Sequence, residues 1–390
     1  MSGERVRRLV HSAEVAAPAE AVYALLANAV RGPLYSPGVL HVERMDADGD
    51  RERLRVWEHS GGGVRCSLWA RVAHPQERRI EFWQLRGEAP ITSMAGQWTI
   101  QEAAGGRSVV SVLHEFTVAG DPLGAEAVRA ALAVKDNARS TLRSVRRIAR
   151  STGGWRQRVL TFQESLRVQG PGEVVYDFLY RATDWAGRVP QVRHVDVSEV
   201  SPGVQAVNYR LRLPDRTERA TSSLRLCFPH AGRIVYKQTT PWAPVAAHTG
   251  EWSVLPDEHG VRVIAEHTVL LDEHALPGGE YAMPGRECTQ SSGADTELCE
   301  ASTRPSEESS ARVPAGAREL RERQRPEPAP LPEAGWGQER PARRPAGQGP
   351  VPEGGGVRGL VRDAIGQASR AILEQAGRHA ESAVQALPQR

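Results

Sequence analysis

The chain has 390 residues, with 50 basic and 47 acidic side chains, a net charge of +3 and 40% hydrophobic residues. That length sets a prior of two or three domains, and so balanced a charge predicts neither a nucleic-acid partner nor a membrane surface. No apolar run reaches about 18 residues, so no membrane span is expected.

The opening stretch, MSGERVRRLVHSAEV, carries charge but no apolar h-region, which predicts no secretory signal and a cytoplasmic protein. A strand with alternating residues follows over 8–15, then Pro18 at the start of a short helix over 19–27, where a missing N–H costs nothing. Alternation predicts strands near 39–46, 52–59, 63–73, 79–86, 96–102 and 107–117, separated by turn sequences such as DADGD, SGGG and AAGGR. Val128, Ala131, Leu132, Lys135, Ala138, Leu142 and Val145 recur at three- and four-residue steps, which predicts one long amphipathic helix. The order then starts again. A strand over 161–168 and a helix over 173–181 lead to strands near 192–200, 204–213, 218–228, 232–240, 250–255 and 260–271. Residues 275–355 are rich in Pro, Glu, Arg, Gly and Ser and poor in aromatic and β-branched residues, a composition that predicts disorder. Leu360, Ala364, Ala368, Ile372 and Ala376 then mark a second long helix.

The recurrence is a duplication. FWQLRGEAPITSMAGQW (82–98) lies on YKQTTPWAPVAAHTGEW (236–252) at an offset of 154, with five of seventeen positions identical. APAEAVYALL (17–26) lies on GPGEVVYDFL (170–179) at 153, and ARSTL (138–142) on SRAIL (369–373) at 231. The jump in offset places an insertion of about 78 residues before the last helix. The expected domains are 1–152, 153–274 completed by the helix of 356–390, and the disordered insertion 275–355 between them. The class is α+β: tandem helix-grip domains, each a curved antiparallel sheet wrapped around a long C-terminal helix. Such an arrangement leaves a cavity between sheet and helix, suited to an apolar or amphipathic ligand.

Only Lys135 and Lys237 are lysines, and that arginine bias reads as genome composition before it reads as nucleic-acid binding. Cys66, Cys227, Cys288 and Cys299 form no CxxC pair and have no His at ligand spacing, so neither a metal site nor a disulfide framework is expected. No Gly-rich phosphate loop, HExxH or GxSxG occurs.

The chain outside the insertion resembles the two-domain aromatase/cyclases of bacterial type II polyketide synthases. APAEAVYALL, AGQWTI, the LRVWEH strand (54–59) and CFPHAGRIVYKQTTPWAPVAAHTGEW carry the resemblance. It implies the fold of the steroidogenic-acute-regulatory-related lipid-transfer and pollen-allergen proteins. It also implies first-ring cyclisation and dehydration of a poly-β-ketone held on an acyl carrier protein, beside other synthase subunits and without a cofactor. The chain departs from the family at Gly32, where the second copy has Trp185, and in its long insertion.

Arg71 and Arg225 match at the repeat offset and are the catalytic candidates: the resemblance implies an inward arginine on this strand, a fixed cation for an enolate oxygen. The pattern alone allows the reverse, because Cys66, Leu68, Ala70 and Val72 make the more apolar face. His114 and His267 match, while His248 stands opposite Met94; each histidine is a candidate for proton transfer or a satisfied core residue. Trp98 and Trp252 read equally as stacking walls or core anchors. Tyr35, Trp57, Ser67 and Trp69 are expected around the first pocket, and Trp185, Tyr209, Thr221 and Ser223 around the second. A carrier of lipid or finished polyketide, with the same fold and no catalysis, is the alternative function.

Overall fold

The computed structural model describes residues 6–272 and 356–385, apart from short stretches at 61–62, 88, 122–123, 151–153, 214–215 and 259. The insertion expected over 275–355 lies outside the described residues. The first repeat runs β1 (Arg7–Val15), α1 (Ala19–Ala27), α2 (Gly32–Tyr35), β2 (Val39–Asp48), β3 (Arg51–Ser60), β4 (Gly63–His74), β5 (Arg79–Gln84), β6 (Ile91–Ala103), β7 (Arg107–Val118) and α3 (Ala125–Ala149). The second runs β8 (Val159–Val168), α4 (Gly172–Tyr180), β9 (Val192–Ser201), β10 (Val204–Arg212), β11 (Glu218–Phe228), β12 (Arg233–Thr240), β13 (Val245–Asp257), β14 (Gly260–Leu271) and α5 (Val357–Gln385). Each repeat holds a seven-stranded antiparallel sheet, ordered β1-β7-β6-β5-β4-β3-β2 and β8-β14-β13-β12-β11-β10-β9.

Local chemistry explains the shared order. Pro18 and Pro171 precede α1 and α4, and Glu20 and Glu173 sit in the first turns, where a carboxylate favours the helix dipole. Gly96 and Gly250 face Phe82 and Tyr236 directly across the sheet. A Cβ on Gly96 would stand 2.6 Å from the Phe82 ring, and one on Gly250 would meet the Tyr236 ring. Glycine is required there because the aromatic side chain folds over its backbone.

Two expectations change. Strands β6 and β13 begin at Ile91 and Val245, five residues earlier than alternation suggested, because Ile91 and Val245 resume pairing with Val118 and Leu271 through a bulge. On α3, Val128 and Leu132 are 45% and 49% exposed. The buried face runs through Ala127, Ala130 and Val134, which pack on Phe116 and Val118. Small residues let this end of the helix lie close on the sheet and turn its larger neighbours to solvent.

Polar contacts join the repeats. The Lys237 ammonium donates to the carbonyls of Ser36 (2.8 Å), Pro37 (3.0 Å) and Val39 (2.7 Å). Arg233 pairs with Glu43 at 2.9 Å while also holding Glu251. Leu40, Trp57, Val204, Leu224, Leu226 and Val235 form an apolar cluster across the joint. Arg158, fully buried, donates to the Ile148 carbonyl at the end of α3 and to the Leu271 carbonyl at the end of β14.

Candidate functional site

That joint explains which way β11 faces. Leu224 and Leu226 point outward but are buried in the cluster shared with the first repeat, while Ser223 and Arg225 point into the second repeat's cavity. An apolar outer face was therefore no sign of an inward one; both faces of β11 are covered. In the first repeat Arg71 also turns inward and is 9% exposed, while Cys66 on the other face is exposed.

The two arginines meet different surroundings. Arg71 pairs through Nε with Glu52 at 2.8 Å and donates to the carbonyls of Ala27 (2.6 Å) and Leu26 (3.3 Å). The Tyr35 side chain is buried beside it. Arg225 is 3% exposed and donates to the Leu179 carbonyl, the counterpart of Leu26. Its guanidinium lies 5.4 Å over the Trp185 ring, within cation–π range. Its Nη1 has no hydrogen-bond partner, and among the described residues no carboxylate pairs with it. Burial pulls its pKa below the ordinary value, against the upward pull of Cys227, Tyr209, Tyr176 and Tyr236. An arginine stays protonated through such a shift, so the second repeat holds a buried cation with donor capacity to spare.

The cavity around Arg225 measures about 710 Å³ including its mouth, between the sheet and α5. Trp185, Trp242 and Trp252 wall it, with Tyr209, Ser223, Gln238 and Ile372. Trp185 and Trp252 stand 6.2 Å apart, and Trp185 donates to the Phe178 carbonyl, which fixes its ring. Tyr209 stands near Ser223 and Gln238 on this wall, and burial raises its pKa.

A polar group sits on the same wall. His267 Nδ1 is 2.8 Å from the Tyr236 hydroxyl and 3.2 Å from His248 Nε2, and His267 Nε2 is 3.0 Å from the Ser369 hydroxyl on α5. His248 Nε2 is 3.5 Å from the Tyr236 hydroxyl. Burial drives the His248 pKa down to about 3 and that of His267 well below its usual value, so both imidazoles are neutral near pH 7.

The structure does not bring all the expected pocket residues to a cavity. Trp57 belongs to the joint, edge-on to Phe228 at 5.7 Å, because β3 presents it to the second repeat. Trp98 packs on the core of the first repeat, unlike its cavity-lining twin Trp252. Thr221 donates its hydroxyl to the Thr240 carbonyl and faces a separate hollow beside β9 and β10. Trp69 donates to Ser67 at 2.8 Å and lies edge-on to Phe82, filling the place where the second repeat has Ser223. His114 abuts Phe82, and its Nδ1 has no partner; burial, aided by His11, lowers its pKa to about 4.

Sequence reasoning missed Tyr236, Trp242, Gln238 and Ser369. Subtracting one repeat from the other finds two of them, Tyr236 at the place of Phe82 and Ser369 at that of Ala138, beside His248, which stands at Met94.

Comparison with known proteins agrees with this architecture. Residues 7–150 match the family model described as polyketide cyclase/dehydrase and lipid transport. The bifunctional cyclase/dehydratase of the granaticin polyketide synthase from Streptomyces violaceoruber is 31% identical over 268 residues, 68% of this chain and 82% of that protein. Its actinorhodin counterpart from Streptomyces coelicolor is 32% identical over 282 residues, 70% of this chain and 86% of the relative. The di-domain ARO/CYC BexL of the BE-7585A biosynthetic pathway superposes with a TM-score of 0.63 at 29% identity, covering 96% of this chain and 99% of that one. The di-domain ARO/CYC StfQ of the steffimycin pathway shares the fold, with a TM-score of 0.62 at 23% identity and cover of 97% and 99%. The duplicated helix-grip sheet and these relatives place the chain in the bifunctional cyclase/dehydratase family of polyketide synthases.

Proposed function

We propose that this aromatase/cyclase closes and aromatises the first ring of a poly-β-ketone in the cavity of its second repeat, with Arg225 as the group that stabilises the enolate. The observation that carries this reading is the buried Arg225 guanidinium, without a carboxylate partner among the described residues and bordering an aromatic-walled cavity. Aldol closure and dehydration both pass through an enolate. A fixed donor at that oxygen contributes about 3–4 kcal/mol in a water-poor site. The tryptophan walls hold a flat, largely apolar chain in one folded form, which limits the carbons that can meet. Neither step changes oxidation state, so the reaction calls for no redox cofactor. The chain is delivered on an acyl carrier protein in the cytoplasm, beside the other synthase subunits; among the described residues no helix is long and apolar enough to cross a membrane.

Product analysis of a reconstituted minimal synthase tests the reading. With wild type and with Arg71→Ala, an aromatised first ring is expected. Arg225→Ala is expected to return the spontaneous shunt products. A wild-type protein that leaves the shunt spectrum unchanged overturns catalysis in favour of a carrier of the same fold, and an active Arg225→Ala overturns the assignment of the cavity.

A further inference from the structure

The four polar residues beside Arg225 are not demanded by the fold. The first repeat builds the same sheet and helix with Phe82, Met94 and Ala138 at the places of Tyr236, His248 and Ser369, and keeps only the histidine, as His114. Burying a phenol, two imidazoles and a hydroxyl is unfavourable unless each is hydrogen-bonded. Here Tyr236, His267 and Ser369 are bonded to one another, while His248 Nδ1 has no partner among the described residues.

The donors and acceptors leave a choice. A neutral imidazole has one N–H and one acceptor nitrogen. With His267 donating through Nε2 to Ser369, its Nδ1 accepts a single hydrogen. Either the Tyr236 hydroxyl or the N–H on His248 Nε2 can supply it, from 2.8 and 3.2 Å. When His248 supplies it, the Tyr236 hydroxyl is free to donate into the cavity, and no nitrogen is left unpaired by the change.

We propose that Tyr236 is the acid that protonates the departing hydroxyl during dehydration and that His248 is the base, with His267 and Ser369 as positioning residues. The assignment rests on the second-repeat cavity being the reaction site. In the step, His248 Nδ1 takes the proton from the ring carbon next to the carbonyl. The hydrogen on His248 Nε2, shared between His267 Nδ1 at 3.2 Å and the Tyr236 oxygen at 3.5 Å, passes to the Tyr236 oxygen as that oxygen gives its own proton to the β-hydroxyl, and Tyr236 then donates its new hydrogen to His267 Nδ1. A C–H and a C–O bond break, a C=C bond forms and water leaves. Tyr236 ends as it began, and His248 ends as the other neutral tautomer, reset by exchange with water after product release. No charge is created in the buried wall. Arg225 holds the enolate oxygen throughout.

The test uses the full chain in the reconstituted synthase, with wild type, Tyr236→Phe, His248→Met and the double variant. Phe and Met are the residues that the first repeat carries at these places. Binding of 1-naphthol, followed by tryptophan fluorescence, reports the walls separately. Both single variants are expected to close the ring and to bind 1-naphthol within about threefold of wild type, while dehydration falls about 100-fold or more. The cyclised, still hydroxylated ketone then accumulates, and the double variant is no worse than either single one. Dehydration at the wild-type rate in either single variant overturns the relay, and so does loss of 1-naphthol binding, which makes the residue a wall. A wild type that aromatises nothing fails the proposed function first and the relay with it, and Arg225→Ala, which loses ring closure itself, tells the two failures apart.

Discussion

Glu52 and Gln205 occupy the same place in the two repeats, each directly across the sheet from its arginine: Glu52 from Arg71 and Gln205 from Arg225. Glu52 neutralises Arg71 at 2.8 Å, whereas Gln205 carries no charge to offset Arg225. One carboxylate on the neighbouring strand therefore separates an ion pair from an available cation, and the duplication has one arginine of each kind.

That difference predicts opposite effects for two reciprocal changes. Gln205→Glu is expected to fold and to place a carboxylate against Arg225, lowering aromatised product by about 100-fold, comparable to loss of an oxyanion donor. Glu52→Gln is expected to leave the product spectrum alone and to destabilise the chain on the order of 3 kcal/mol, because a buried cation loses its partner. Product profiles and urea unfolding of both variants decide the matter; an active Gln205→Glu protein would show that Arg225 is not used.

A second prediction concerns the paired glycines. A Cβ at position 250 would stand 2.6 Å from the Glu266 carbonyl and press on the Tyr236 ring, so Gly250→Ala is expected to cost about 1–3 kcal/mol and to displace Tyr236. Gly96→Ala, which crowds Phe82 in the first repeat, is expected to cost a similar amount and to leave dehydration intact. Denaturant unfolding measures the first effect and the ratio of hydroxylated to aromatised product the second. Equal loss of dehydration in both variants would rule out a special role for the Tyr236 position.

These residues also show what a sequence discloses. The duplication, the strand order and the closing helices were legible because period and offset survive divergence: Gly96 and Gly250, or Trp98 and Trp252, stand at matched places. Side-chain direction was not legible for Arg225. Its strand is buried on both faces, by its own cavity and by the first repeat, so alternation carried no information about which face is inner. Trp57 misled for the same reason, since a large aromatic on a strand serves a joint as well as a pocket. Ser369 was hidden differently: it lies 102 positions from His267, across the insertion, and only the closing of α5 over the sheet brings them together.

The joint between repeats should respond to pH through Lys237. Burial pulls its pKa from 10.5 to about 7, while the unfolded chain binds that proton up to its ordinary value. Between about pH 7 and 10 the unfolded state holds more protons than the folded one, so this group makes stability rise with pH across that window. Lys237→Met is expected to lack the rise and, by leaving the carbonyls of Ser36, Pro37 and Val39 without their donor, to cost about 1–3 kcal/mol near neutrality. Urea unfolding of both proteins from pH 6.5 to 9.5 follows the difference, which should widen with pH; a constant gap would mean that the ammonium stays charged throughout, held by its three acceptors.

The last prediction concerns delivery of the substrate. Arg139, Arg143, Arg146 and Arg147 are exposed along the final turns of α3. Arg158, a few residues further along the chain, is by contrast fully buried and holds the carbonyl end of that helix. Basic groups at a helix C-terminus are favoured by the dipole whatever their function, so stability alone accounts for their presence. An acidic carrier protein would also be steered by them, and steering acts on association rather than on chemistry. Arg146→Glu with Arg147→Glu is therefore expected to slow turnover of carrier-bound chain, by about tenfold at low salt, with the deficit shrinking as salt is raised over the Debye range. A free small-molecule β-hydroxy ketone should be dehydrated at the wild-type rate by the same variant. An equal loss on both substrates would place the defect in the fold of α3, which covers the first repeat, and would remove the carrier from this face of the molecule.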